Sequence, residues 1–301
     1  MGKAGLFLLK PNYVYIEPPA RHAGGIAHFG RLRYSRAMER LGDHIHKDTM
    51  EICYLKRGGQ IFTVGNQRFR LRGGDVFIAR PDEIHGTGGA PMEKSVLYWV
   101  GFDLAPRGNA SFLGCVGSEA AAVKDRLLKM DKRVFKGSEL LAEIMDDMID
   151  AGAGSDPLKW VMVRNHAISL IFALTGLCAG RLEQTISLQI ARVMQFINAN
   201  ISEPLSLAHL AEIAGLSLPR FKQRFRNETG FPPNEFILRA RIDGARKLMD
   251  QGHSVTSAAL EMGFSSSQYF ATVYRRFTGM APREGRMRGK ASESPTGYAR
   301  K

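Results

Sequence analysis

The stretch "LSLAHLAEIAGLSLPRFKQRFRNETGFPP" (residues 205–233) decides how the C-terminal part of the chain folds. Ser206 stands where a helix needs an N-cap. Leu207, Leu210, Ala211 and Ala214 then recur at the spacing of a buried helical face. Gly215 falls where the chain needs a left-handed residue to leave that helix. Ser217 is placed to cap a second helix with Pro219 in its first turn. Helix, short glycine turn, helix is the helix-turn-helix pattern. On a helical wheel Leu218, Phe221 and Phe225 fall within about 60° of one another and face a core. The opposite side carries Pro219, Arg220, Gln223, Arg226 and Asn227, with Lys222 on the flank. Guanidinium and amide groups in such a row match base edges, and ammonium or guanidinium groups neutralise phosphate. A basic helix that is merely solvated would have the same composition, so this stretch alone leaves both readings open.

Recurrence favours the DNA-reading one. "SVTSAALEMGFSSSQYFATVYRRFTGMAP" (residues 254–282) repeats the layout. Val255, Ala258, Ala259 and Met262 repeat the inner face, Gly263 repeats Gly215, and Phe270 and Tyr274 repeat Phe221 and Phe225. Between the units "NEFILRARIDGARKLMDQ" predicts a helix of some eighteen residues, about 27 Å long at 1.5 Å per residue. Successive major grooves on one face of DNA lie roughly 34 Å apart. One chain could therefore fill two grooves.

These residues, with Arg241 and Ala245 in the connecting helix and Gly263-Phe264 in the second turn, resemble the AraC/XylS-type bacterial transcription regulators over about 100 residues. The resemblance implies that the second helix of each unit reads the major groove. By position this falls to Pro219, Lys222 and Gln223, and to Ser267, Gln268, Ala271 and Thr272, with Arg220, Arg226, Asn227, Arg275 and Arg276 on the same exposed faces. Two departures stand out. The family usually has an arginine near Thr272, and an aromatic residue where this chain has Gly285.

The N-terminal part reads differently. Short β-rich runs, "YVYIE", "EICYLKR", "QIFTV", "RFRLR", "DVFIA" and "SVLYWVGF", are punctuated by Gly-Gly, Gly-Asn and Pro-Asp between residues 12 and about 104. Gly65-Asn66 marks a hairpin turn and Gly73-Gly74 a second turn. Closely spaced antiparallel strands predict a small jelly-roll barrel. From residue 118 to 182 the period turns helical, with Leu140, Ile144, Met148 and Ile149 on one stripe and a second helix ending at Gly176 or Gly180. The expected class is α+β: a jelly-roll barrel (1–115) and a helical segment (116–182), which the family resemblance implies are the effector sensor and the dimerisation and relay segment, then an all-α double helix-turn-helix domain (183–290) and a disordered tail (291–301).

"HIHKDTMEICYLKRG" (44–58) and "GGDVFIARPDEIH" (73–85) look like the two cupin motifs. In metal-binding cupins the matching residues, here His44, His46, Glu51 and His85, converge on one divalent ion. Histidines at i and i+2 of a strand share a side, so the geometry is accessible. The second motif is shifted, with Glu83 in place of the usual glycine. Two readings stand: structural or effector-contacting histidines with no cofactor required, or a divalent metal site. The resemblance implies an effector pocket in the barrel, for a sugar or an aromatic compound.

Composition sets the remaining bounds. The net charge is +13 over 301 residues, which suggests a polyanionic partner. From Ile186 on, 17 Lys and Arg stand against 9 Asp and Glu. Three scattered cysteines argue against a disulfide framework and fit a reducing compartment. Arg164, Asn165 and His166 interrupt the most apolar run, which reads as a buried helix and not a membrane span. The N-terminal apolar run is too short for a signal peptide, which predicts a mature, cytoplasmic, nucleoid-associated bacterial protein. The expected partners are double-stranded DNA, a second copy of the chain and, for an activator, RNA polymerase. The competing class is a metal-dependent cupin enzyme with a DNA-binding appendage. No Ser/His/Asp arrangement, phosphate loop or CxxC supports an enzyme, and a doubled helix-turn-helix has no use in one.

Overall fold

The computed structural model describes residues 7–10, 12–105, 111–180 and 186–284. They divide into two units, the first within residues 7–35 and 40–180 and the second within 36–39 and 186–284. The proposed tail and Gly285 lie outside the described residues.

The first unit holds nine strands: β1 (Phe7–Lys10), β2 (Tyr13–Ile16), β3 (Ile26–Arg33), β4 (Thr49–Val64), β5 (Gln67–Arg72), β6 (Asp75–Ala79), β7 (His85–Gly86), β8 (Ser95–Asp103) and β9 (Val134–Lys136). All pairings are antiparallel, in the order β1-β2-β3-β8-β4-β6-β9, with β5 and β7 added on β4. The sequence divides β4 into two strands, yet it runs unbroken for 16 residues. Gly58 makes this continuity feasible. It sits at φ 101°, and a Cβ there would come within 2.7 Å of the Ser95 backbone. The register with β8 also slips between Leu55 and Arg57, as at a bulge. The near half of β4 pairs with β8 and β6, and the far half pairs with β5 and β7. The Gly65-Asn66 hairpin forms as read, pairing Val64 with Gln67.

Strict alternation separates two faces. Ile52, Tyr54, Val76, Ile78, Tyr98 and Val100 enter one core, which they share with the helices. Cys53, Leu55, Phe77, Ala79, Leu97 and Trp99 enter an inner core that also takes Phe62 and Leu71 from the far half. The sheet therefore curls over its own inner face.

After a single turn of helix, α1 (Ala20–Ala23), three longer ones pack outside the sheet: α2 (Gly117–Leu128), α3 (Glu139–Ala153) and α4 (Lys159–Cys178). The expected helical run is interrupted by β9, whose three residues are too few to show a period of two; it completes the sheet beside β6. Helix α3 buries Leu141, Ala142, Met145, Met148 and Ile149, while Leu140, read as part of this stripe, is exposed. By length and composition α4 could cross a membrane. Its Trp160, Val163, Ala167, Leu170, Ile171 and Leu174 are instead buried in the core shared with the sheet. It ends before Gly180, at φ 69°, and runs straight through Gly176.

The second unit is six helices: α5 (Leu188–Ala199), α6 (Leu207–Ile213), α7 (Leu218–Thr229), α8 (Pro233–Asp250), α9 (Val255–Glu261) and α10 (Ser267–Thr278). Two small cores sit side by side. Ile190, Val193, Leu210, Ala211, Phe221 and Phe225 build one; Ala258, Ala259, Phe264, Phe270 and Tyr274 build the other. Helix α8 gives Ile237 to the first and Ile242, Ala245 and Met249 to the second, so one rod carries both.

Candidate functional site

In the second unit α6–α7 and α9–α10 are two copies of one design. The turns pass through Gly215 (φ 64°) and Gly263 (φ 74°). The second helices end at Gly230 (φ 76°) and Gly279 (φ 75°). Thr229 and Thr278 close those ends identically. Each hydroxyl donates back one turn, Thr229 to the Phe225 carbonyl (2.6 Å) and Thr278 to that of Tyr274 (2.8 Å). Each also accepts from the backbone N–H two residues on, Phe231 or Met280, at 3.3 Å. The starts differ. Ser254 and Ser266 cap α9 and α10 by accepting from Ser257 and Tyr269 N–H, whereas Ser206 and Ser217 hold the cap position without a side-chain cap bond.

Phe221 and Phe225 are fully buried, and Pro219, Arg220, Lys222, Gln223, Arg226 and Asn227 are all exposed on α7. On α10 Gln268, Thr272, Arg275 and Arg276 are exposed and Ser267 and Ala271 half-buried. The Thr272 hydroxyl is occupied by the Gln268 carbonyl at 3.1 Å. Arg224 is turned away from the exposed row. It holds Glu228 and Gln189, each at 2.7 Å, and so ties α7 to α5. Arg241 on α8 locks the two copies together, donating to the carbonyls of Ile201 (2.9 Å), Glu203 (2.7 Å) and Gly263 (2.7 Å).

The first unit brings His44, His46, Glu51 and His85 together, each with one ligand atom within 4.8 Å of the others. Glu51 stands on the inner face of β4 and is nine-tenths buried. His85 belongs to β7, bridged to His44 by a mutual backbone pair at 2.9 Å. His44 and His46 lie in the segment leading into β4, not on one strand as read. Gly86 makes room for this packing, since a Cβ there would meet the Asp43 backbone at 3.0 Å. Nε2 of His85, His46 and His44 lies 2.8, 3.6 and 4.0 Å from Glu51 Oε2.

The sequence reading missed a fourth ring. His28, on β3, reaches Glu51 Oε1 at 3.4 Å and stacks on Tyr15. Space for it comes from Gly101 on β8, where a Cβ would lie 2.7 Å from the imidazole. No spacing links residue 28 to the cluster; only the β3–β8–β4 order does. Burial alone would push the Glu51 carboxyl up, but hydrogen bonds from His28 and His85 outweigh it and hold it well below the usual carboxylate range. His85 is pushed up, its burial outweighed by the bond to Glu51, whereas burial pushes His46 down.

Two family descriptions match the chain: "AraC-like ligand binding domain" over residues 29–112 and "Helix-turn-helix domain" over 210–288. The thermoregulatory protein LcrF of Yersinia pestis is 34% identical over 241 residues, covering 78% of this chain and 88% of its own. The chain belongs to the AraC-type family of transcription regulators. The activator RhaR of Klebsiella pneumoniae is 22% identical over 300 residues, covering 96% of this chain and 99% of its own. A solved AraC-type regulator from Chromobacterium violaceum is 30% identical, covering 36% of this chain and 95% of its own, with a TM-score of 0.33. As an AraC-type regulator the chain has an N-terminal ligand-binding domain and a C-terminal domain that binds DNA. Its relatives include transcription regulators.

Proposed function

We propose that this AraC-type regulator activates transcription from its promoters, not as an enzyme, when a small molecule enters the first unit. In this reading residues 183–290 bind operator DNA, residues 1–115 sense the effector, and residues 116–182 dimerise and relay. The observation that carries it is the duplicated helix-turn-helix on one rod, α8, with both second helices turning polar and basic side chains outward. Lys222, Gln223 and Arg220 do most of the base reading. Gln268 and Ser267 read less, and Ala271 and Thr272 are confined to apolar contact with a thymine methyl. Arg226, Asn227, Arg275 and Arg276 hold phosphates. The effector, a sugar or an aromatic compound, meets the protein at His44, His46, Glu51 and His85, directly or through a divalent ion. Dimerisation uses the exposed apolar side chains of Leu158, at the start of α4, and of Val161, Met162 and Phe172 on it. RNA polymerase is the partner at the promoter, and the setting is the bacterial cytoplasm.

Selection of duplexes from a random pool by the full chain tests this reading. Two conserved blocks about one helical turn apart are expected. A single block, or none, would rule out two-groove reading.

A further inference from the structure

We propose that Arg239 fixes the spacing at which the two helix-turn-helix copies read DNA. This rests on the two-groove reading of the second unit and deepens it.

Arg239 stands on α8 between Ile237, which belongs to the first small core, and Ile242, which belongs to the second. Its Cζ lies over the ring of Phe231, 5.0 Å from the centre, and over that of Phe277 at 4.8 Å. Both distances fall within the roughly 6 Å at which the face of an aromatic ring attracts a guanidinium. The two rings come from different copies. Phe231 directly follows Gly230 at the end of α7, and Phe277 sits in the last turn of α10. One side chain therefore joins the C-terminal ends of both reading helices.

The surroundings hold this arrangement in place. Glu235, one turn earlier on α8, accepts from Arg239 Nε and Nη2 at 3.2 Å each. The Thr229 hydroxyl accepts from the Phe231 N–H at 3.3 Å, so that ring is tied to the helix end it follows. Phe231 and Phe277 are both buried, which strengthens a cation–π contact by removing water from it. Only 12% of the Arg239 side chain is exposed. Its charge is used inside the protein, whereas those of Arg220 and Arg226 face outward.

The mechanical consequence follows from the helix period. Residues 239 and 241 are about 200° apart around α8, so their side chains leave it on nearly opposite sides. On one side Arg241 joins the copies through the carbonyls of Ile201, Glu203 and Gly263. On the other, Arg239 joins them through Phe231 and Phe277. Two copies tied on one side only can hinge, but tied on both they keep one angle. One base pair added between two blocks shifts the second by about 3.4 Å and turns it by about 35° around the duplex. A rigid pair of readers rejects that change and a hinged pair follows it. The penalty for wrong spacing is limited by the strength of the tie, and one desolvated cation–π contact is worth up to about thirtyfold. Arg239 is thus a positioning residue, acting on DNA through α7 and α10.

The test measures affinity of the full chain for labelled duplexes. Some carry the two selected blocks at their preferred spacing, or with one base pair inserted or removed; others carry either block alone. For the parent chain, one base pair either way should weaken binding about tenfold or more. In Arg239→Ala the penalty should shrink to about threefold or less, with affinity for either single block unchanged. Arg239→Lys keeps the charge but not the planar group that lies on the rings, so its penalty should fall between the two. Far-UV circular dichroism must match the parent; if Arg239→Ala fails this, Arg239→Lys and Arg239→Gln are read in its place. A penalty equal to the parent's in the folded variants overturns the role of Arg239 and leaves two-groove reading intact. Single-block affinities that fall in step with the others also overturn it, since Arg239 would then only support the fold. A parent chain that gains nothing from the second block overturns two-groove reading itself, and this role with it.

Discussion

Tyr98 shows how a single hydroxyl ties the sheet to the helices. Its OH donates to Asp146 Oδ2 on α3 at 2.9 Å, and Arg31 on β3 binds the other oxygen of the same carboxylate. Burial first, and then the Asp146 charge, push the Tyr98 phenol up to about 12. A phenol raised above its unfolded value near 10 contributes stability that is full below that value and is lost as pH climbs through the folded one. The expected loss therefore lies between about pH 10 and 12. Tyr98→Phe should cost about 0.5–1.5 kcal/mol at pH 7, and the gap to the parent chain should narrow above pH 10. Both tryptophans, Trp99 and Trp160, lie in the first unit, so urea melts followed by tryptophan fluorescence report this unit alone. A gap that widens with pH would contradict the assignment. A second contrast concerns base reading. Gln223→Ala should cost roughly 1–3 kcal/mol and relax one or two operator positions, whereas Thr272→Ala should cost less, because its hydroxyl is already bonded to Gln268. Binding-site selection with each variant checks this ranking, and a larger effect at Thr272 would reverse it.

Among the elements, α8 governs the geometry of DNA reading, and Arg241 is its latch. The guanidinium serves three carbonyls from the segment after α5 and from the second turn. Arg241→Ala removes three charge-assisted bonds and should destabilise the second unit by about 2–4 kcal/mol. Lysine cannot reach three carbonyls in one plane, so Arg241→Lys should recover only part of the loss. Gel shifts on a selected duplex should show weakened binding for both variants while tryptophan fluorescence stays unchanged; full affinity in Arg241→Ala would show that the latch does not set helix spacing. The second unit was largely legible in the sequence because helices of this kind announce themselves locally. Glycine turns, buried Phe and Tyr pairs and an exposed basic row all lie within one or two turns of each other. The first unit was legible only in part. His44, His46, Glu51 and His85 carry a spacing signal, but His28 reaches them through strand order, which no local pattern encodes. The bend at Gly58 hid one long strand as two, and β9 was too short to interrupt the helical reading.

For the molecule as a whole, charge and symmetry act together. The basic excess from Ile186 on makes affinity for DNA steeply salt-dependent, with a log–log slope of about 0.9 per phosphate contacted. Residues 183–290 alone should therefore bind duplex DNA with a slope of several units between low and physiological salt, and a slope near zero would remove the electrostatic part of the case. The full chain should do better than the fragment if it binds as a pair, since joining two readers makes the second binding event intramolecular. The surface proposed to pair them is the exposed apolar side of α4. Phe172 is 48% exposed and Val161 51%, on a helix whose opposite side is packed into the core. Exposed apolar side chains gathered on one side of a helix, here interrupted by Asn165 and Ser169, commonly mark an interface. Changing Val161 to Asp places a charge on this side without touching the buried side or the Phe172 ring over which Arg126 stacks, so the first unit should keep its fluorescence melt. Sedimentation at micromolar concentration should then show one chain where the parent shows two. Affinity for a duplex carrying two selected sites should fall toward that of the isolated fragment, while affinity for a single site stays the same. A variant that still sediments as a pair would move the interface off α4.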